Sequence, residues 1–293
     1  MKNSLRFAVF TLAVLSFSVP SFALDFLLGA KAGYFVWRPY FQEMSGSGID
    51  EIETGRGVLY GPAFSVIINE DISFSMVALF GTQSTYWDND ATVKIFGPEE
   101  IVSTGTFYSE IQRVDVDSAL SYRVSEMFKV FIGYKYQYTE TTMRGTFLMT
   151  NAAGEEYVRV GDVLLEIPAH GPAIGVGFSH TIGASFFVSC NLSAMYLFSK
   201  HNFERDEWLQ YRATGAGQIE YQTVLEGSGN SFETRQVGFN IEPSFGLAVG
   251  DVIATLGIRF QWVRMQFIDD PVMNNHQFAP DGWMSDYLYG VFI

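Results

Sequence analysis

From Leu24 to Ile293 the chain keeps returning to a two-residue period, and that alternation limits its fold more than any other feature. RVDVDSALSYR, Arg113 to Arg123, is the clearest case: Arg113, Asp115, Asp117, Ser121 and Arg123 fall on one side, and Val114, Val116, Leu120 and Tyr122 on the other. Such a split marks a β-strand with unlike faces, because successive side chains point to opposite sides of a sheet. Further segments repeat it. Phe128, Val130, Ile132, Tyr134 and Tyr136 oppose Lys129, Gly133, Lys135 and Gln137; Phe239, Ile241, Pro243 and Phe245 oppose Asn240, Glu242, Ser244 and Gly246. Leu256, Ile258 and Phe260 oppose Gly257, Arg259 and Gln261, and near the start Ala30, Ala32 and Tyr34 oppose Gly29, Lys31 and Gly33. The whole chain reads as about ten strands, within a range of roughly 8–12.

The connections between these segments alternate in length. NED (69–71), SEM (125–127), IGAS (182–185) and GD (250–251) are short turn-forming clusters, whereas the stretches near 40–57, 83–109, 140–170, 199–235 and 268–284 are long. Every long stretch is net acidic, so one rim of the molecule carries most of the formal charge of −14. Two of them hold further β-prone runs, YVRVGDVLLEI and QIEYQTVL, which can lengthen the hairpins or add a strand pair. A soluble barrel or secreted sandwich would turn the apolar rows inward. Here the opposite rows combine Gly and Ser with mid-strand Lys, Arg, Asp and Glu, which suits the narrow interior of a small barrel. With 48% hydrophobic residues, 17% charged residues and no helix-length apolar run in the body of the chain, the pattern predicts an all-β fold. It is a transmembrane, antiparallel, up-and-down barrel, residues 24–293, with polar lumen, lipid-facing apolar rows, long extracellular loops and short periplasmic turns.

Residues 1–23 read as a secretory signal peptide: basic Lys2 and Arg6, the apolar run FAVFTLAVLSFSV, and SFA at the cleavage point. The lone Cys190 cannot form an internal disulfide and reads as strand filler. The acidic balance argues against nucleic acid as a partner. The last strand, YLYGVFI, alternates Tyr287, Tyr289, Val291 and Ile293 and resembles the carboxy-terminal signal of bacterial outer-membrane β-barrel proteins, with Ile293 where those chains usually end on an aromatic residue. The resemblance implies a bacterial outer-membrane location, recognition of this strand by the barrel-assembly machinery, and contact with outer-membrane lipid and lipopolysaccharide. A monomer is expected.

The lumen-side charges Lys31, Arg113, Asp115, Asp117, Arg123, Lys129, Lys135, Glu242 and Arg259 have two readings. They fill the interior as an ion network, with Lys129 and Lys135 answering Asp115 and Asp117, or they form a constriction that selects ions. Few other residues suggest chemistry. YWDNDATV places Asp88 and Asp90 two apart on an extended segment, a spacing that can crowd two carboxylates around a water. Here the chain resembles the omptins, ten-stranded outer-membrane proteases with an Asp-x-Asp pair in the second outer loop and an Asp–His pair in the fourth. That resemblance implies catalytic roles for Asp88 and Asp90 together with His201 and Asp206 of SKHNFERDEW, although Trp208 stands where the family's order needs His. His170, His180 and His276 are isolated, no Cys/His set has metal spacing, and no phosphate loop or Gly-x-Ser-x-Gly elbow occurs, so no metal and no cofactor are expected. The reading is a non-enzymatic surface barrel acting as a narrow pore, an adhesin or a structural element, with an omptin-like endopeptidase as the alternative.

Overall fold

The computed structural model describes residues 25–40, 55–89, 102–150, 156–212, 219–225, 230–268, 272–273, 276–277 and 283–293. The signal peptide expected at 1–23 and the loop carboxylate Asp90 lie outside these. Thirteen strands follow in chain order: β1 (Asp25–Arg38), β2 (Gly55–Ile67), β3 (Ile72–Asn89), β4 (Val102–Arg123), β5 (Phe128–Thr150), β6 (Glu156–Ile182), β7 (Phe186–Arg212), β8 (Ile219–Leu225), β9 (Asn230–Val249), β10 (Val252–Phe267), β11 (Val272–Met273), β12 (His276–Gln277) and β13 (Met284–Phe292).

Eleven of them form one antiparallel sheet in the order β6-β5-β4-β3-β2-β1-β13-β10-β9-β7-β8, and a β6–β7 pairing joins its ends. β8 hangs on β7 alone, by pairs from Glu207↔Leu225 to Arg212↔Ile219, so the ring itself has ten strands. The first and last strands close it: Gly33↔Phe292 through Arg38↔Tyr287, with Ala32 and Ile293 exchanging backbone hydrogen bonds of 2.9 and 2.8 Å. Closure leaves the ring no unpaired edge.

The short turns form as their residues dictate. Asn69 Oδ1 accepts the backbone N–H groups of Asp71 and Ile72 at 2.9 and 2.8 Å, closing the β2–β3 turn with its side chain. Gly183 and Gly250, at φ 67° and 58°, occupy the left-handed region in the β6–β7 and β9–β10 turns, where a side chain would be strained. At the other end the strands run on. Much of what reads as loop near 140–170 and 199–235 is hairpin, because β5, β6 and β7 stay paired out to Thr150, Glu156 and Arg212. One of the two β-prone runs extends β6, and the other supplies β8.

The apolar rows face outward. Tyr34, Tyr60, Leu120, Ile132, Ile174, Leu256 and Val291 are exposed and together form a belt around the ring. The expected polar interior needs correction. Phe35, Trp37, Leu59, Leu79, Ile111, Leu165, Leu197, Met265 and Leu288 are buried inside. Toward the long connections the lumen therefore holds a hydrophobic core. These residues escape the alternation because the outer halves of their strands are apolar on both sides, as in YFVW (34–37) and AMYLF (194–198). Glycines on neighbouring strands make room for the inward rings: a methyl group at Gly175, Gly246 or Gly257 would strike Phe131, Phe187 or Phe292 respectively.

Candidate functional site: the crossed lumen

The interior has three tiers. Nearest the short turns is a cavity of about 170 Å³, with Ser121, Lys129, Asn191 and Ser193 in its walls. Above it stands an ion network, and above that the apolar core.

The network is built across the ring. Arg259 on β10 donates to Asp117 Oδ2 on β4 at 2.9 Å, and these strands lie half the ring apart. Arg259 is fully buried, and its Nε also stands 3.3 Å from Glu242 Oε1 of β9, an ion pair not aligned as a hydrogen bond. Lys135, directly opposite Asp117 in the β4–β5 register, donates to Asp117 Oδ1. Lys31 of β1 donates to Glu242 Oε2 at 2.9 Å, and its ammonium sits 3.7 Å above the Phe292 ring. One level up, Arg113 Nε and Gln137 Nε2 both donate to Asp115 Oδ1 at 3.2 Å. The Arg113 guanidinium lies 5.6 Å from the Trp37 ring, and Trp37 Nε1 donates to Asp286 Oδ2 at 2.8 Å. Buried charges need such partners, since an ion taken from water unpaired costs several kcal/mol.

Of the nine lumen charges expected from the sequence, seven meet in these contacts. Arg123 and Lys129 do not. They face each other across β4–β5 near the short turns, and neither forms an ion pair among the described residues. The expected answer of Lys129 to an aspartate is thereby corrected: register gives Asp117 to Lys135 and Asp115 to Gln137, leaving Lys129 opposite Arg123.

The upper tier crosses the lumen with hydrocarbon. Leu165 and Ile167 of β6 share a buried cluster with Met265 of β10, Met284 of β13 and Tyr40 just past β1, three, four and five strands away around the ring. A pocket of about 30 Å³, roughly the volume of one water molecule, lies between the ions and this core. His201 lies within it, fully buried. Its Nδ1 shares a hydrogen bond with the Tyr40 hydroxyl at 2.8 Å and its Nε2 with Thr234 Oγ1 at 3.1 Å, while Phe232 stacks on the ring at 4.8 Å. Both nitrogens are occupied, and the ring is walled off from solvent.

The other candidate catalytic positions are spread out. Asp88 is at the far end of β3, opposite Thr106 of β4. Asp206 is five residues beyond His201 on β7, opposite Asp162 of β6, whose carboxylate is exposed and 3.5 Å from Arg144. The side chains of Asp88 and Asp206 lie outside the described ones, and with them the pairing expected with His201. His170 lies on the outer face, bonded through Nδ1 to the Tyr134 hydroxyl at 2.7 Å, and no cluster of metal-ligating side chains occurs among the described residues. Sequence reasoning missed Trp37, Tyr40, Asp286 and Thr234 as interior groups. The signal available for Trp37 and Tyr40 was the clustering of aromatic residues on both parities in YFVWRPY.

No protein-family model matches the sequence, and no curated protein does either. Among solved structures, the chain is similar to the outer membrane protease OmpT from Escherichia coli, with 12% identity, a TM-score of 0.36, and coverage of 94% of this chain and 98% of that one. It is also similar to the translocator domain of the autotransporter NalP from Neisseria meningitidis, with 8% identity, a TM-score of 0.34, and coverage of 99% and 95%. A third is CarO of Acinetobacter baumannii, with 13% identity, a TM-score of 0.23, and coverage of 90% and 96%. At these scores the likeness says nothing about activity.

Proposed function

We propose that the protein is a sealed outer-membrane β-barrel that anchors a β-sheet platform on the cell surface, rather than a pore or an endopeptidase. The observation that carries this reading is the double crossing of the lumen, by Asp117–Arg259 at one level and by the Leu165–Met265–Met284 cluster at the next. A solute entering from the long-connection side meets the buried cluster of Tyr40, Leu165, Ile167, Met265 and Met284 before it reaches the ion network, and a hydrated ion would shed water to pass it. The enclosure of His201 supports the same choice, because a general base must come within hydrogen-bond reach of a bound substrate or its attacking water.

The exposed belt supports a place in the lipid bilayer, with Tyr34, Tyr60, Tyr122 and Tyr134 among its exposed residues. On β7 Phe198 is the last exposed large apolar side chain among the described residues while the strand runs to Arg212, and that projecting part is the platform of this reading. In this reading residues 1–23 direct export, the final strand is read by the assembly machinery, lipopolysaccharide and phospholipid surround the belt, and the barrel is a monomer. The test is a planar bilayer recording on the folded protein. A flat trace is expected, and reproducible step conductance would overturn the reading.

A further inference from the structure

The cavity below the ion network plays no part in sealing the lumen, and its charges do not balance. Asp117 and Glu242 face three lysines, Lys31, Lys129 and Lys135, with Arg259 behind them. Lys31, Lys135 and Arg259 all bind one or both of the two carboxylates. Lys129 has neither an ion pair nor a side-chain hydrogen bond among the described residues, although its side chain lies in the cavity wall.

Two further observations bear on it. A Cβ at Gly177 would fall on Cε and Cγ of Lys129 and on Oδ1 of Asn191, so the absence of a side chain there is what lets the lysine stem lie along the wall toward Asn191. Arg123 is the register partner of Lys129, two residues beyond the wall residue Ser121 on β4, exposed and without an ion pair among the described residues. Like charges placed directly opposite on neighbouring strands repel. The turn carboxylates nearby, Glu70, Asp71 and Glu126, are exposed and pair with neither cation. A cationic pair without a counter-charge, beside a polar cavity of 170 Å³, is the complement of an anion.

We propose that the short-turn end of the lumen is a binding site for a small free oxyanion of phosphate size, held between Lys129 and Arg123. The volume admits a phosphate ion with a few waters. Because the lumen above is crossed, the anion enters and leaves by the same mouth: this is a dead-end site, not a channel. Charge-assisted hydrogen bonds from an ammonium and a guanidinium supply the attraction.

The test is calorimetric titration of inorganic phosphate into the full-length protein, folded in lipid-free detergent at constant ionic strength. Omission of lipid separates a free oxyanion from a phospholipid headgroup. Saturable one-site binding is expected, weakened about tenfold or more in Lys129→Met, by a smaller factor in Arg123→Gln, and unchanged in Lys200→Met at the exposed midpoint of β7. No saturable heat in the wild-type protein would overturn the proposal, as would wild-type affinity in Lys129→Met. Should Lys129→Met lack the heat-modifiable gel mobility of a folded barrel, Arg123→Gln decides, and wild-type affinity there overturns the proposal.

Discussion

At the level of Asp117 and Arg259 the barrel is crossed by ions from β4 and β10; nearer the long connections Leu165, Met265 and Met284 of β6, β10 and β13 meet in hydrocarbon. Both tiers put side chains into the lumen, but they contribute to folding differently. The ionic tier gives up hydration for attraction, and a buried ion pair roughly breaks even against apolar packing. What it adds is specificity: Arg259, paired with Asp117 from across the ring and with Glu242 nearby, fixes which walls meet and in what register. The apolar tier removes hydrocarbon from water at about 25 cal/mol per Å², a gain that lipid-facing residues outside the ring do not share in the same way. In a chain whose exterior is apolar by necessity, the interior core is where hydrophobic burial resembles that of a soluble protein.

The apolar tier gives the largest expected effect. Trp37 is 1% exposed, packs with Phe35, Leu59, Leu79 and Leu288, and donates to Asp286. Trp37→Ala is expected to lower unfolding stability by about 3–5 kcal/mol, the range for emptying a large aromatic site. Urea titration of the protein folded into lipid vesicles measures it. The ionic tier comes next. Asp117→Asn keeps the shape but leaves Lys135, 4% exposed, without a carboxylate, and leaves Arg259 with Glu242 alone. The expected loss is about 3 kcal/mol, at the low end for a broken buried pair, because Asp117 borders the cavity and water can reach it. If Asp117→Asn costs clearly more than Trp37→Ala in the same titration, the ions, not the hydrocarbon, hold the lumen shut.

How far the sequence discloses these tiers differs between them. The lipid-facing rows were legible because lipid demands unbroken apolar residues on one parity, and Leu120, Ile132, Ile174 and Leu256 stand out wherever the other parity is Gly, Ser or charged. The ionic tier was legible for a related reason, since Asp117, Lys135 and Arg259 are conspicuous in strands otherwise poor in charge. The apolar tier was not. A strand with lipid on one face and a hydrocarbon core on the other is apolar on both parities, so in AMYLF the inward Met195 and Leu197 look like their outward neighbours. The hairpin extensions were legible in part: the β-prone runs YVRVGDVLLEI and QIEYQTVL marked strand there, but past the belt the two-residue alternation fades, so the strand bounds did not show although pairing continues to Arg212. Register is the other blind spot. Nothing in either strand alone says that Lys129 meets Arg123 rather than an aspartate; the short SEM turn sets that, and with it the loose cation.

That cation gives the smallest effect and the sharpest contrast with its own tier. Every other lumen charge on Lys31, Asp117, Lys135, Glu242 and Arg259 is compensated, so its removal destabilises. Lys129 opposes a like charge, so in phosphate-free buffer Lys129→Met is expected to raise unfolding stability, by about 0.2–1 kcal/mol. Phosphate should reverse the sign. An anion that binds only the folded wild-type barrel stabilises it in proportion to the logarithm of its concentration above Kd, and the variant lacks that gain. Urea titrations of both proteins across a phosphate series should therefore cross, with the variant more stable at low phosphate and the wild type at high. Parallel lines would mean that the charge imbalance at the mouth is screened by water alone. A destabilised variant in phosphate-free buffer would mean that Lys129 packs as an ordinary wall residue, supported by Gly177 and Asn191 rather than strained against Arg123.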